Sequence, residues 1–383
     1  MADRRIGIIV HGATGRMGTT QHLARALLAI RGEGGLALGS GDRLMPDPLL
    51  VGRDADRLAA LARSLGVARW TTDLDAALAG GEDELFFDCA PTGLRPALVR
   101  RALAAGKHVF VEKPTAPTLE GALELARLAA RAGRKNGVIQ DKLFLPGLMK
   151  LKRLKDGGFF GRILAVRIDF GWWVFDGIEQ PSQRMSWNYR KRDGGGIVPD
   201  MYAHWRYIID NLVAPVRRVC CVAKTHTTRR RDERGEVFEV DADDAAYALM
   251  ELEGGVVATV TSSWATRVRR DDLLVIQIDG TEGSAVAGLH RCRMQSHLAT
   301  PKPPWNADVP QPMDFHAQWQ DVPDNVAYPS SFRSCWEGFL RHVAEDAPFA
   351  ATLLEGAKGA QLAELAYRSS REGRWLDVPI LTL

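Results

Sequence analysis

Cysteine is scarce in this chain of 383 residues: there are five, at positions 89, 220, 221, 292 and 335. So small and odd a number builds no disulfide framework and suits free thiols in a reducing compartment, so a cytoplasmic protein is expected. Long apolar runs are missing as well. The first, Ile6 to Val10, is too short for a signal-peptide core and gives way at once to glycines, and no later stretch reaches membrane-spanning length. Charge of one sign is also lacking. A formal net charge of +3 is a weak, mixed field that argues against nucleic-acid and membrane partners. The one basic run, Arg229-Arg230-Arg231, reads as a solvated hairpin tip rather than a phosphate-binding patch. His290, Cys292 and His297, like Cys220, Cys221 and His226, lie close in sequence but follow neither C-x-x-C nor H-E-x-x-H spacing, so no metal is expected.

What is present is an ordinary globular composition, 46% apolar and 25% charged, at a length that calls for two domains. The first, residues 1–144, alternates strands and helices as a parallel, doubly wound sheet does. Arg5 to Val10 is a strand that breaks into His11-Gly12-Ala13-Thr14-Gly15-Arg16-Met17-Gly18 and a helix over Thr19 to Ile30. Glycines at such a turn let backbone N–H groups approach a pyrophosphate, and the helix N-terminus favours its charge. Gly12, Thr14, Gly15, Arg16, Met17 and Gly18 are therefore candidate cofactor contacts. A second strand, Leu49 to Val51, ends at Arg53 and Asp54, where a dinucleotide ribose is expected. Arg53 there holds a 2′-phosphate or stacks on adenine, which leans toward NADP over NAD; the competing reading makes Asp54 a helix N-cap and leaves Arg53 solvated. The connection from Gly32 to Pro48 reads as a surface insertion. A third strand, Leu85 to Cys89, leads into the turn containing Pro91 and Thr92, two further cofactor candidates. Next, His108-Val109-Phe110-Val111 runs into Glu112-Lys113-Pro114 and stops, since proline cannot donate to a ladder. A lysine at the carboxyl end of such a strand faces the ligand cleft, so Lys113 is the first catalytic candidate, with Glu112 beside it. Lys142, after the strand Gly137 to Gln140, reads either as a substrate contact or as a surface lysine.

From residue 145 to 383 strands follow one another without intervening helices: Arg162 to Phe170, Val216 to Thr227, Asp244 to Leu252, Val256 to Ser263 and Leu273 to Asp279. Mainly antiparallel pairing in one large open sheet is expected, an α+β domain whose bare face makes a homodimer or homotetramer and whose last helices return to the first domain. Inside it, Gly194-Gly195-Gly196 precede Asp200 and His204. The glycines let backbone pass close to a ligand, and residues four apart share a helix face, so Asp200 fixes the tautomer of His204 and raises its basicity. An imidazole titrating near neutral pH is a natural acceptor for an alcohol proton. Aromatic rings crowd the preceding stretch, where Trp173, Trp187, Asn188, Tyr189 and Arg190 suit the faces and hydroxyls of a sugar; packing accounts for about half of the rings.

The glycine turn, Glu112-Lys113-Pro114, Gly194 to Gly196 with Asp200 and His204, and the later Phe159 to Ile163 and Ile278 to Gly283 together resemble the Gfo/Idh/MocA oxidoreductases over nearly the whole chain. The resemblance implies an N-terminal Rossmann domain, a C-terminal open-sheet domain, NAD or NADP, and hydride transfer from a secondary alcohol of a sugar or cyclitol. It makes Lys113, Asp200 and His204 the catalytic group. A glycosidase acting through transient oxidation is the alternative on the same scaffold. The G-x-x-G-x-x-G turn is also similar to that of dihydrodipicolinate reductases, but the chain is too long and has no His-His pair. Tyr207 stands where many members of the family carry an acid.

Overall fold

The computed structural model describes residues 3–383, arranged around two large sheets. In the first, strands β1 (Asp3–His11), β2 (Arg43–Val51), β3 (Asp83–Asp88), β4 (His108–Val111) and β5 (Asn136–Val138) run parallel in the order β2-β1-β3-β4-β5. Helices α1 (Ala55–Leu65), α2 (Arg95–Ala104) and α3 (Leu119–Arg131) lie in the crossovers. A sheet covered on both faces needs strands that are apolar throughout, and Ile6, Ile8, Ile9 and Val10 are all fully buried. Because β2 and β3 flank β1 on opposite sides, the chain switches direction there, and a cleft opens beyond the carboxyl ends of β1 and β3. The first helix is π-helical over Met17–Leu27 and α-helical over Leu28–Gly32.

The segment expected as a surface insertion is instead part of the sheet. Leu36–Ala37 pairs antiparallel with the start of β2, and β2 itself begins six residues before the expected Leu49, at Arg43. Pro46 and Pro48 hid it. The N–H of Leu50 points to the outer side, toward the Arg69 carbonyl, so residues two and four earlier on the same side are the two prolines. Their missing N–H groups fall in the gap on the outer edge between the pairings of Leu36–Ala37 and Trp70–Thr71, where they cost no ladder bond and blunt the edge against other strands.

The second domain opens with helix α4 (Pro146–Asp156) and strand β6 (Ile163–Gly171). Helix α5 (Ile197–Leu212) follows, then β7 (Val216–Lys224), β8 (Ala245–Leu252), β9 (Val257–Ser263), β10 (Leu274–Gly280), β11 (Gly283–Ala287) and β12 (Cys292–Ser296). Their order is β12-β11-β10-β6-β9-β8-β7, with short edge strands at both ends. The sheet is mainly antiparallel, as expected, with one exception: β6 and β9 pair in parallel. The chain between them carries α5, β7 and β8, which is long enough for the crossover a parallel pair needs. The strands alternate buried and exposed positions; Tyr247 and Leu249 of β8 and Val222 of β7 stand on the open face.

Helices α6 (Ser331–Glu345) and α7 (Leu353–Glu372) complete the two cores. Cys335, Trp336, Phe339 and Leu340 of α6 are buried in the same cluster as Phe87 and Phe110 of the first sheet, and Phe339 stacks on Phe110 at 4.3 Å. Leu362 and Ala366 of α7 join Tyr202 and Trp205 of α5 in the other. The basic run also departs from expectation. Arg229–Arg231 does form a hairpin strand, but Arg230 is buried, laid over the Tyr189 ring at 3.8 Å and donating to the Phe175 carbonyl at 3.0 Å.

Candidate active site

Strand β4 is buried from Val109 to Val111, so Lys113 emerges at the carboxyl edge of the sheet. Its Nζ donates to Asp200 Oδ1 at 2.6 Å and to the Asp200 carbonyl at 2.9 Å. The other carboxylate oxygen, Oδ2, accepts from Arg184 at 2.8 Å. Burial pushes the Asp200 carboxyl up, but the Lys113 and Arg184 charges outweigh it and hold the carboxyl well below the ordinary carboxylate range. Arg184 also donates to Asn188 Oδ1 at 2.7 Å and lies 4.1 Å over the Trp264 ring. Sequence reasoning missed Arg184, which belongs to no motif; the available cue was an arginine in a stretch rich in aromatic residues.

Helix α5 brings Asp200 and His204 to this edge, and the glycine run serves its seating rather than a ligand. The Ile197 N–H donates to the Asp243 carbonyl at 3.0 Å and the Val198 N–H to Asp243 Oδ2 at 2.9 Å, while Tyr367 of α7 donates to Oδ1. A Cβ on Gly196, whose φ is +125°, would lie 2.6 Å from both Asp243 Oδ1 and the Tyr367 oxygen.

The expected Asp200–His204 bond is not formed. Both Asp200 oxygens are taken by cations, and His204 Nδ1 lies instead 3.2 Å from Gln140 Oε1. Nor does His204 titrate near neutrality. Burial lowers it to about 3, aided by the Lys113 and Lys142 charges and opposed by Asp141 and Asp200. Lys142 is held by buried Asp141 at 2.7 Å, and its charge is felt by both His204 and Asp200. Glu112 is fixed from the other side. Its Oε1 pairs with His22 Nε2 at 2.9 Å, its Oε2 accepts the Lys113 N–H at 3.0 Å, and Trp336 donates to His22 Nδ1 at 3.1 Å.

Beyond β1 and β3 the glycine turn is shaped for close approach. Gly12 has φ +81°, and a Cβ there would sit 2.8 Å from the Ala90 nitrogen. Gly15 and Arg16 are exposed, Thr14 and Met17 half-buried and Gly18 buried, at the start of a helix, whose N-terminus favours an anion. Asp88, fully buried, bonds His11 at 2.9 Å and Arg95 at 2.8 Å, and Arg95 reaches the carbonyls of Ala90 and Pro114. That clamp joins the turn of exposed Pro91 and half-buried Thr92 to the turn after Lys113. Next to it an apolar slot is lined by His11, Val51, Gly52, Arg53, Leu74 and Leu98. Asp54 caps α1 by accepting the Arg57 N–H at 3.0 Å, and exposed Arg53 has no partner among the described residues. A glycine cradle, a helix N-terminus and an apolar slot in this order fit a dinucleotide.

Of the residues expected at a sugar, Trp187 is 49% and Trp173 38% exposed, although Trp173 is covered in part by Arg267 at 4.1 Å. Asn188 reaches the site through Arg184. Tyr189 does not, being in the second core with Arg230 over its ring. Arg190 is drawn away to Asp232 at 3.5 Å and to the Phe238 ring at 4.2 Å. Among the described residues no group of three or more His, Cys, Asp or Glu is placed to hold a metal ion, and no helix is long and apolar enough to cross a membrane.

Comparison with known proteins agrees with this geometry. Residues 6–140 match the model of an oxidoreductase family with an NAD-binding Rossmann fold, and residues 148–286 match the GFO/IDH/MocA C-terminal domain. A D-xylose dehydrogenase of Paenarthrobacter nicotinovorans is 48% identical over 99% of this chain and 98% of its own length. A D-apiose dehydrogenase of Paraburkholderia graminis is 28% identical over 87% of this chain and 83% of its own. Among solved structures, a levoglucosan dehydrogenase in complex with NADH and L-sorbose shares the fold, with a TM-score of 0.81 over 98% of this chain and 99% of its own at 20% identity. The chain belongs to the Gfo/Idh/MocA family of NAD-binding oxidoreductases.

Proposed function

We propose that the chain is a dehydrogenase of aldopentoses, D-xylose foremost, moving hydride from a ring carbinol to a nicotinamide. The observation that carries the reading is a lysine fixed by Asp200 and a buried histidine, brought by two domains to the mouth of a dinucleotide cradle. A nicotinamide held in that cradle would supply the hydride acceptor. Burial and then the Lys113 and Lys142 charges keep the His204 ring neutral before reaction. His204 takes the hydroxyl proton on Nε2 as the developing alkoxide charge offsets those of the two lysines, while the Lys113 ammonium stabilises that oxygen. Asp200 and Arg184 hold that lysine in place. Residues 1–144 supply the cofactor half of the site and 145–383 the sugar half, with Trp187 and Asn188 beside the substrate and Lys142 behind His204. The relatives named above are dehydrogenases, which favours net oxidation over elimination of an aglycone.

Arg53, unpartnered beside a ribose position whose Asp54 is spent as an N-cap, inclines the cofactor toward NADP. The apolar residues on the open sheet face suit a homodimer or homotetramer, which sedimentation of the purified chain tests. Activity is tested by following reduced-cofactor absorbance with D-xylose, other aldopentoses, cyclitols and glycosides, each with NAD and NADP. D-xylose is expected to give net reduction; Lys113→Met and His204→Ala each lower kcat by about a hundredfold or more with cofactor affinity retained. Arg53→Asp lowers the preference for NADP on the order of tenfold. Sugar release without reduced cofactor, or full turnover in the His204 variant, would sink the reading.

A further inference from the structure

Gln140 lies two residues past the end of β5, and it is 1% exposed. No motif marks it. Its Oε1 lies 3.2 Å from His204 Nδ1, and a carbonyl oxygen only accepts, so with the amide in this orientation the contact is a hydrogen bond when the ring proton sits on Nδ1; the amide nitrogen has no partner among the described residues. His204 is kept neutral by its surroundings. It is 3% exposed, and the charges facing it are Lys113 at the end of β4, Asp141 and Lys142 after β5, and Asp200 on its own helix. The cations outweigh the anions there, which disfavours imidazolium. Its Nε2 has no protein partner and is not among the buried unsatisfied atoms. A lone pair therefore faces the cleft. Asp200, the other candidate for setting the tautomer, has both carboxylate oxygens engaged by Lys113 and Arg184.

We infer that Gln140 is the positioning residue of the proton acceptor: its side-chain carbonyl holds His204 as the Nδ1–H tautomer and so leaves Nε2 free to take the substrate hydroxyl proton. The chemistry rests on the dehydrogenase reading, but the tautomer does not. In the opposite tautomer Nε2 carries hydrogen and no base remains. The amide also suits the site better than a carboxylate would, because it orders the ring without adding charge between Lys113 and Asp141.

Two measurements test the inference. The first is ring-nitrogen NMR of protein labelled with 15N-histidine, with the His204 signals assigned from the His204→Asn variant and no substrate added. The expected result is a protonated Nδ1 and a bare Nε2; a protonated Nε2 overturns the inference whatever the enzyme oxidises. The second compares Gln140→Leu with Gln140→Glu. Leucine fills similar space but accepts nothing, whereas glutamate keeps an acceptor oxygen at the same reach. Gln140→Leu is expected to lose the single tautomer and to lower kcat about tenfold or more with the KM for cofactor unchanged, and Gln140→Glu to retain Nδ1–H and most of the turnover. A packing role alone predicts the reverse order, since buried leucine is tolerated and buried charge is not. Wild-type turnover with a fixed tautomer in Gln140→Leu overturns the inference. If that variant fails to fold, the spectrum of the wild-type protein decides.

Discussion

At the scale of single residues the site turns on how one carboxylate is shared. Asp200 is bonded on one oxygen by Lys113 and on the other by Arg184, so neither cation is free to wander. Arg184→Ala removes the partner that keeps Asp200 facing Lys113 and leaves Asn188 without its donor. We expect kcat to fall about tenfold, with Arg184→Lys intermediate because an ammonium cannot bond both acceptors and stack on Trp264 as a planar guanidinium does. Steady-state kinetics of the two variants check this, and unchanged kcat in the alanine variant would remove Arg184 from the site. Histidines set the pH response of stability. His204 is lowered from 6.5 to about 3, and His108 to about 4, in the latter case by burial and then by the Arg134 and Lys135 charges. Between pH 6.5 and 4 the unfolded chain takes up protons at both rings and the native chain does not, so stability falls as pH falls. The Tm should drop across that window, and His108→Asn should flatten the slope; a slope unaltered by this change would contradict the assignment. Lys113, Asp200 and His204 were legible because two short motifs carry them. Their wiring was not: helical spacing places Asp200 and His204 on one face, but the cations that claim the carboxylate come from Lys113 and Arg184, both remote in sequence.

Among the elements, α5 matters most, because it presents both second-domain groups. Its first turn is closed by Asp243, itself 5% exposed and bound by Tyr367. Asp243→Ala strands the Val198 N–H and the Tyr367 hydroxyl, and is expected to cost about 2–3 kcal/mol; Tyr367→Phe, which removes one bond, costs about 1 kcal/mol. Denaturant unfolding of both variants measures the difference, and an equal cost would mean that the carboxylate is not the cap. The same scale shows where pattern reading stops. Strands β1, β3 and β4 were legible as apolar runs ended by glycine, cysteine or proline. Most of β2 was not, because prolines on an outer strand edge look identical in sequence to prolines in a loop. The parallel β6–β9 pair was missed because strand direction depends on the whole crossover and not on the two strands.

At the scale of the whole molecule, the two halves are joined by more than a cleft. α6 inserts Trp336, Phe339 and Leu340 into the core of the first sheet, and the Trp336 indole fixes His22, which fixes Glu112 beside Lys113. The edge strand β5 is also completed late, where Val138 donates to Ala351 and Asn136 accepts the Leu353 N–H. The return of the last helices to the first sheet was expected from the sequence, but not which side chains they would bring, because a helix that packs back carries no mark of its partners. This has a consequence for synthesis. The first sheet leaves the ribosome long before α6 exists, with Phe87 and Phe110 short of their packing partners. A chain ending at residue 144 should therefore bind no nicotinamide cofactor and associate through that bare surface, and adding residues 327–383 as a separate polypeptide should restore order, as intrinsic fluorescence and calorimetric titration would record. Cofactor binding in the fragment alone would disprove it. The order of manufacture is thus the reverse of what a modular reading suggests: the half that meets the nucleotide is made first and finished last.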